Sequence, residues 1–398
     1  MKFNQWTLGL AALGLVSLAS VARADEKASS VITALSSTTL SGYVDTSMQW
    51  NLGTGNANAP GYSFGGPGKA DGFNLNVIDL NLQKDPDAAD GWGSGYRVEL
   101  WMGPDANTLA TQSGAGKADF AIKNAYVDLK APVGNGIDAK IGVWDTPIGY
   151  EVADSPNNPN FTRSYGFTIE PTTHTGILLG YTVNDLISLT AGVANTFGPA
   201  INGRAFDASG TVRESYKTYL GSVTFTASTN WGFVGGSTIT GCIINGYNGG
   251  GVAPIAPATA GSRDQTSYYV GTTLNTPLKE LKVGASFDYV QIRSQALTVK
   301  NNEYQEAFGI FATYQLTEKM SLNGRAEYFE QSKLLAATGL PSKAIETTLT
   351  VQYDLWKNVL SRVEARWDHQ AGDAFAGLGG AGTLRNSYEL LANIIYKF

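Results

Sequence analysis

The sequence predicts an all-β fold, a closed antiparallel transmembrane β-barrel of about 16 strands with short periplasmic turns and long external loops. Apolar and polar side chains alternate through many segments, which places them on opposite faces of a strand. Several of these segments exceed about ten residues, the length with which a tilted strand crosses a bilayer. The connections between them alternate between short and long, as in transmembrane barrels.

The composition agrees with a large β structure. Of 398 residues, 11% are aromatic and only 16% are charged, which excludes an intrinsically disordered chain. The single cysteine, Cys242, excludes a disulfide framework. A formal net charge of −6 disfavours nucleic acid as a partner, so none is expected.

The N-terminus has the layout of an export signal. Lys2 precedes an apolar stretch over residues 8–20, and an Ala-x-Ala cleavage pattern ends at Ala24. This pattern predicts a cleaved signal peptide over 1–24, because the apolar core is too short for a spanning helix. The alternative is a buried N-terminal helix. We expect residues 25–38 to be a short periplasmic segment and 39–398 to be the barrel.

The alternation is clearest in the C-terminal part of the chain. From Met320 to Tyr328 every second residue is apolar or glycine, and the residues between them are Ser321, Asn323, Arg325 and Glu327. We place sixteen strands at 39–51, 72–83, 92–102, 119–130, 136–144, 174–182, 186–196, 214–227, 231–242, 265–275, 280–292, 304–316, 319–330, 343–355, 358–369 and 386–398.

The connections discriminate between two β architectures. Alternation alone also fits a soluble sandwich with one solvated face. Short links, however, occur at 132–136, 183–185, 228–230, 317–319 and 357. Long links occur at 52–71, 103–118, 145–173, 197–213, 243–264, 293–303, 331–342 and 370–385. A soluble sandwich has no reason for this asymmetry, which favours the membrane barrel.

The last strand has a signature of its own. Every second residue from Tyr388 to Phe398 is apolar. The segment resembles the C-terminal strand of bacterial outer-membrane proteins, which implies that Phe398 is an assembly signal read by the barrel-assembly machinery. The alternative is an ordinary edge strand that ends in phenylalanine.

Two further stretches resemble a known family. The first, over 141–151, is Ile-Gly-Val-Trp-Asp-Thr-Pro-Ile-Gly-Tyr-Glu; the second, over 160–176, contains Arg163-Ser164-Tyr165 and His174-Thr175-Gly176. Together they are similar to the putative beta-barrel porin-2, OmpL-like, outer-membrane family. The resemblance implies a porin-like channel in the bacterial outer membrane, with outer-membrane lipid as its surroundings and a homotrimer by analogy with porins.

The link over 145–173 is the longest and is the candidate constriction loop. Porins fold their third external loop into the barrel, and a long loop in a compact fold is usually functional. It carries the candidate pore residues Glu151, Asp154, Arg163 and Glu170. The alternative is an external surface loop that leaves the lumen open.

A second set of candidates comprises basic residues on the predicted lumenal face. They are Arg97, Arg325, Arg362 and Arg366, with Lys123 and Lys140 beside them. A barrel of this size leaves an aqueous channel in which such charges stay hydrated. The alternative is that they pair with acidic residues of neighbouring strands.

No enzyme signature is present. The sequence has two histidines, His174 and His369, and we expect no catalytic residues, no cofactor and no metal site. The sequence therefore predicts a passive diffusion channel for small hydrophilic solutes or ions. Two alternatives stay open: a plugged outer-membrane barrel with a structural or surface-binding role, and a secreted soluble β-protein.

Overall fold

Sixteen antiparallel strands close into one barrel. The computed structural model describes residues 37–87, 91–111, 118–207, 211–247, 264–293, 302–332, 340–371 and 384–398. Each strand pairs with its neighbours in the chain, and β1 pairs with β16. The strands are β1 Thr39–Asn51, β2 Gly72–Lys84, β3 Gly93–Met102, β4 Phe120–Ala131, β5 Ile137–Asp145, β6 Thr173–Asn184, β7 Ile187–Ala194, β8 Thr218–Thr226, β9 Thr238–Tyr247, β10 Asp264–Asn275, β11 Leu281–Arg293, β12 Asn302–Gln315, β13 Met320–Gln331, β14 Lys343–Trp356, β15 Val359–Gln370 and β16 Asn386–Lys397. The predicted barrel is confirmed.

The chain terminus takes part in the closure. The Gly42 amide donates to the Phe398 carbonyl at 3.1 Å, and the Phe398 amide donates to the Gly42 carbonyl at 3.0 Å. The hydrogen bonds of the β1–β16 ladder therefore continue to the last residue, which removes the free edge that an open sheet would expose.

The two faces of the wall are as the alternation predicts. Leu349 and Val363 are each 56% exposed on the outside, whereas their neighbours Thr350 and Glu364 are buried inside. The barrel thus presents apolar side chains to lipid and polar side chains to its interior.

Short helices occur only in the connections of the described segments. They are α1 Pro104–Leu109 and α2 Tyr165–Ile169, with 3-10 turns at Asn56–Asn58, Pro67–Lys69, Ser155–Asn157 and Gly232–Val234. Among the described residues, no helix is both long and apolar enough to cross a bilayer. The predicted signal peptide and the start of the mature chain lie outside the described residues.

The ninth strand begins later in the chain than predicted. The segment 231–242 was expected to be a strand after a three-residue turn, but β9 begins only at Thr238. Gly232 and Gly236 take φ angles of +68° and +81°, which extended strands do not contain. The turn is closed instead by the Gly236 amide, which donates to the Ala227 carbonyl at 2.9 Å.

Trp144 lies away from the membrane interface, where tryptophans of membrane barrels commonly form a girdle. It is buried inside the barrel. Its ring packs 5.2 Å from that of His174. Trp356, by contrast, is 71% exposed on the outer surface, where a girdle residue belongs.

The outward position of Leu349 generates a depth-dependent prediction. Leu349→Arg places a charge near the middle of β14 on the lipid face, so the free energy of unfolding should fall by about 2–4 kcal/mol. Ile239→Arg, at the periplasmic end of β9, should cost about 1 kcal/mol or less. Urea titration of the barrel in lipid vesicles measures both, and equal losses would contradict the assignment of the outer face.

Candidate functional site

The loop over 146–172, hereafter the inner loop, crosses the interior of the barrel. It leaves β5 and returns to β6, yet its middle contacts the opposite wall. Asn160 Nδ2 donates to Thr350 Oγ1 of β14 at 2.7 Å. Arg366 of β15 donates through Nη1 to the Arg163 carbonyl at 2.7 Å. The loop therefore lies inside the wall rather than on the external surface.

Wall carboxylates receive the loop's free amide groups. Glu364 accepts hydrogen bonds from the amides of Phe161 at 2.6 Å and Thr162 at 2.9 Å. Glu327 accepts from the amides of Tyr165 at 2.6 Å and Gly166 at 2.7 Å. Those last two amides begin α2 and have no partner within the helix. The wall thus accepts hydrogen bonds from backbone amides that have no acceptor within the loop.

Arg325 is the centre of the ionic contact between loop and wall. Its Nη1 donates to Glu151 Oε1 at 2.8 Å and to the Thr162 carbonyl at 2.7 Å. Its Nε donates to Glu346 Oε2 of the neighbouring strand at 3.0 Å. All three charged side chains are almost fully buried. A buried arginine is tolerated only with its donors satisfied, and here the loop supplies part of them.

Arg362 and Arg366 also bind the loop. Arg362 Nη2 donates to the carbonyls of Ser155 at 2.9 Å and Asn158 at 2.8 Å. Arg366 forms a bidentate pair with Asp368, with both N–O distances at 2.8 Å. These guanidinium groups are buried and do not line open water.

Arg163 organises the inner loop from within. Its three guanidinium nitrogens donate to the carbonyls of Val152, Ala153 and Phe161, at 3.0, 2.7 and 2.7 Å. The guanidinium therefore joins two limbs of the loop that are about ten residues apart in sequence. The five donors of a rigid planar group suit this role.

Asp154 belongs to a charged cluster near β3 and β4. The Lys123 ammonium lies 3.0 Å from Asp154 Oδ2, 3.0 Å from Asp145 and 3.1 Å from Glu99. Burial favours protonation of Asp154, but Lys123 outweighs it and lowers the pKa of that carboxyl. Carboxylate oxygens of Asp79, Glu99 and Asp154 lie within 4.8 Å of one another, a spacing that suits a cation. The Lys123 ammonium supplies the positive charge at this cluster.

Arg97 is the predicted wall arginine that stays near solvent. Its Nη2 lies 2.7 Å from Glu99 Oε2, and its side chain keeps 26% of its surface exposed. Arg97 lines a cavity together with Lys140, whereas Arg325, Arg362 and Arg366 are buried. Among the four candidate arginines, Arg97 is therefore the one exposed to a solute.

Glu170 approaches another carboxyl group. Burial, followed by the charge of Asp288 of β11, raises the pKa of Glu170 well above its ordinary value of 4.5. No described N–H or hydroxyl group donates to Asp288. A protonated Glu170 can donate to this carboxylate and so join the end of the inner loop to β11.

A second inward loop, over 52–71, was missed by the sequence analysis. Tyr62 Oη donates to Glu389 Oε2 of β16 at 2.8 Å. The Arg366 guanidinium lies 3.8 Å from the centre of the Tyr62 ring. Phe64 packs 5.8 Å from Phe167 of the inner loop. These inward contacts come from scattered aromatic residues, and an ion pair between Lys69 and Asp105, at 2.6 Å, joins the loop to α1.

Apolar clusters fill part of the interior around these loops. They are centred on Tyr165 and Phe329, on Trp101 and Leu109, and on Trp144 and Phe197. Each joins an inward-facing wall residue to a residue of a long connection. The loops are thus fixed by apolar packing as well as by the ionic contacts.

Two large cavities remain below the inner loop. One, of about 590 Å³, lies at the short-turn ends of β2–β7. The other, of about 510 Å³, lies between the loop and the short-turn half of β9–β14. A smaller cavity of about 200 Å³ lies along the loop itself, beside Asp154 and Glu170. The polar space in the barrel is therefore distributed around the loop.

Comparisons with known proteins agree with this architecture. The family model described as "Putative beta-barrel porin-2, OmpL-like" matches residues 37–398. No curated protein matches the sequence.

Solved porins share the fold at low sequence identity. The anion-selective porin from Comamonas acidovorans is 13% identical, with a TM-score of 0.61 over 91% of this chain and 99% of that one. The outer membrane channel DcaP of Acinetobacter baumannii is 13% identical, with a TM-score of 0.61 over 91% and 97%. In vitro folded OmpT of Vibrio cholerae is 13% identical, with a TM-score of 0.58 over the same shares.

Loop docking should depend on Glu364. Glu364→Gln replaces one acceptor oxygen with an amide group that faces backbone donors, which should weaken docking by about 1–3 kcal/mol. Fluctuations of the open-channel current should therefore increase while the barrel still assembles. Glu306→Gln, on the outer face of β12, is the matched control. Identical current noise in the two variants would contradict the docking role.

Loop docking should also weaken as the pH rises above about 4.5. A carboxyl with a raised pKa contributes its full stabilisation below its ordinary pKa of 4.5, and that contribution is lost as the pH rises through the raised value. Ionisation of Glu170 opposite Asp288 should then loosen the loop. Current noise recorded while the pH is raised from about 4.5 should increase in the native protein and stay flatter in Glu170→Gln. An equal rise of current noise in the native protein and in Glu170→Gln would show that Glu170 does not cause the pH dependence.

Proposed function

The chain belongs to the putative beta-barrel porin-2, OmpL-like family, and on that premise we propose that it is a passive diffusion channel for small hydrophilic solutes or ions. The family and the fold indicate a channel rather than an enzyme. The outer membrane is its location, since its wall is a lipid-facing barrel of the porin type.

The inner loop is the proposed constriction. The observation that carries this proposal is its docking across the barrel, from β5 to the wall at β13–β15, with polar cavities left below it. Glu151, Asp154, Arg163 and Glu170 act in this proposal by fixing the shape of the loop, as do Arg325, Arg362 and Arg366. Arg97 acts by presenting charge to the solute.

Assembly and export complete the proposal. A signal peptide over 1–24 directs export and is cleaved, and Phe398 serves as the signal to the barrel-assembly machinery. The position of Phe398 at the β1–β16 closure supports this role. A homotrimer in outer-membrane lipid is proposed because OmpT of Vibrio cholerae, which is similar in fold, has a trimer form.

A plugged barrel with a structural or surface-binding role is the second candidate. The observation in its favour is the set of three apolar clusters that join long connections to the inner wall. Single-channel recording of the purified protein in planar bilayers separates the two candidates. Discrete conductance steps support the channel, and a silent but correctly folded barrel supports the plug.

Shortening the inner loop should widen the passage. Replacing residues 155–169 by a short glycine-serine linker removes the segment docked on β13–β15. Single-channel conductance should increase while the barrel still assembles, because the loop no longer narrows the lumen. Deleting residues 207–215 of the long connection 195–217, which leaves Phe197 and its apolar cluster in place, is the control. An unchanged conductance after the 155–169 replacement would place the constriction elsewhere.

A further inference from the structure

The two large cavities differ sharply in charge. Six charged side chains line the cavity at β2–β7; they are Asp85, Arg97, Asp128, Lys130, Asp138 and Lys140. More residues line the cavity at β9–β14, hereafter the neutral cavity. Within the described part of the chain, however, Lys282 is the one charged residue among them.

Hydroxyl and amide groups cover the wall of the neutral cavity. They come from β9, β10, β12, β13 and β14 and include Thr240, Thr273, Thr313, Ser321 and Asn323. Each of these groups can both donate and accept a hydrogen bond, whereas an ammonium only donates and a carboxylate only accepts. Such a wall matches a solute whose own groups are hydroxyls.

An aromatic side chain forms the roof of the neutral cavity. Tyr150 of the inner loop stacks on Phe311 of β12, with ring centres 4.0 Å apart and an angle of 20° between the planes. Its hydroxyl lies against Gly284 of β11, where any Cβ atom would overlap it. The ring is therefore held in a fixed orientation, and it remains half-buried at the cavity edge.

The docking of the inner loop explains why this wall carries little charge besides that of Lys282. The arginines and carboxylates of β13–β15 are buried in contacts with the loop, as shown by Arg325 and Glu364. Little of their charge is available to a solute in the neutral cavity. The remaining surface combines many uncharged polar groups with one aromatic contact, and its volume of about 510 Å³ lies in the range of small-molecule sites.

We propose that the neutral cavity binds uncharged polyhydroxylated ring solutes of monosaccharide size, and that the channel passes them in preference to ions of equal size. The hydroxyl and amide groups replace the hydration of the solute's hydroxyls, and the Tyr150 ring contacts its less polar face. This inference rests on the proposed channel function and names its substrate class.

A set of matched solutes tests the charge preference. Efflux of radiolabelled glucose, glucuronate and glucosamine is measured from liposomes that contain the full-length protein. All three form six-membered sugar rings and differ in charge. Glucose should leave several-fold faster than the other two. Equal or faster efflux of glucuronate or glucosamine, in a protein that conducts, overturns the inference but leaves the channel function standing. No efflux and no conductance would instead refute the channel function.

A second pair of solutes tests the aromatic contact. Sorbitol resembles glucose in mass and hydroxyl content but is acyclic and has no ring face. Tyr150→Ala should lower the ratio of glucose to sorbitol efflux by about two- to tenfold, the range expected for one aromatic contact. Tyr150→Phe should retain the native ratio. A ratio that is the same in all three proteins would overturn the role of Tyr150 even if Tyr150→Ala widens the passage.

A charge substitution tests the location. Thr313→Asp puts a carboxylate on the wall of the neutral cavity, and Ser188→Asp puts one on the inner wall at the periplasmic end of β7, outside both cavities. Thr313→Asp should slow the efflux of glucose and speed that of glucosamine, so that the ratio of the two rates falls several-fold. Ser188→Asp should leave this ratio as in the native protein. An equal fall of the ratio in both variants would show that a charge anywhere in the lumen has this effect, and would overturn the assignment to this cavity.

Discussion

Docking of the inner loop on β13–β15 is the contact on which the rest of the interior depends. Arg325 and Glu364 lie in the wall without exposure to water, where an unpaired charge would cost several kcal/mol. Their partners include backbone groups of Thr162, which belong to the loop. Without the wall, amide groups of the loop would lack acceptors. Without the loop, charged groups of the wall would lack partners. Buried ionic contacts of this kind define one position of the loop more than they add stability.

The same contact makes the lumen asymmetric. On the β13–β15 side, charged groups are buried beneath the loop, whereas Arg97 and Lys140 on the opposite side still line a cavity. A group that is fixed to the loop backbone cannot also attract a passing ion. The charges that can act on a passing ion are therefore those that the docked loop does not bury. Their sum differs from the net charge of −6 of the whole chain.

The barrel could be predicted because its determinants are local. Alternation reports the face of each residue through the strand's own geometry, so β13 and β14 follow from their sequence alone. The ninth strand failed because Trp231 and Phe233 have strand-forming side chains, although glycines beside them form a turn. The partners of Arg325 could not be predicted for a different reason. Glu151 is 174 residues away, and only the closed barrel brings it within 2.8 Å.

Arg325, Arg362 and Arg366 lie in the interior and bind the inner loop, and their part in a constriction stays a prediction. Inward-facing charges in a barrel are expected to be hydrated, because the lumen is wide enough for water. That expectation assumes an empty lumen, and here the inner loop occupies it with its own carbonyl and amide groups. Once the loop is docked, Arg362 and Arg366 have structural partners in place of water. The neutral wall beneath Tyr150 becomes the surface that a solute meets, although no charged motif in the sequence marks it.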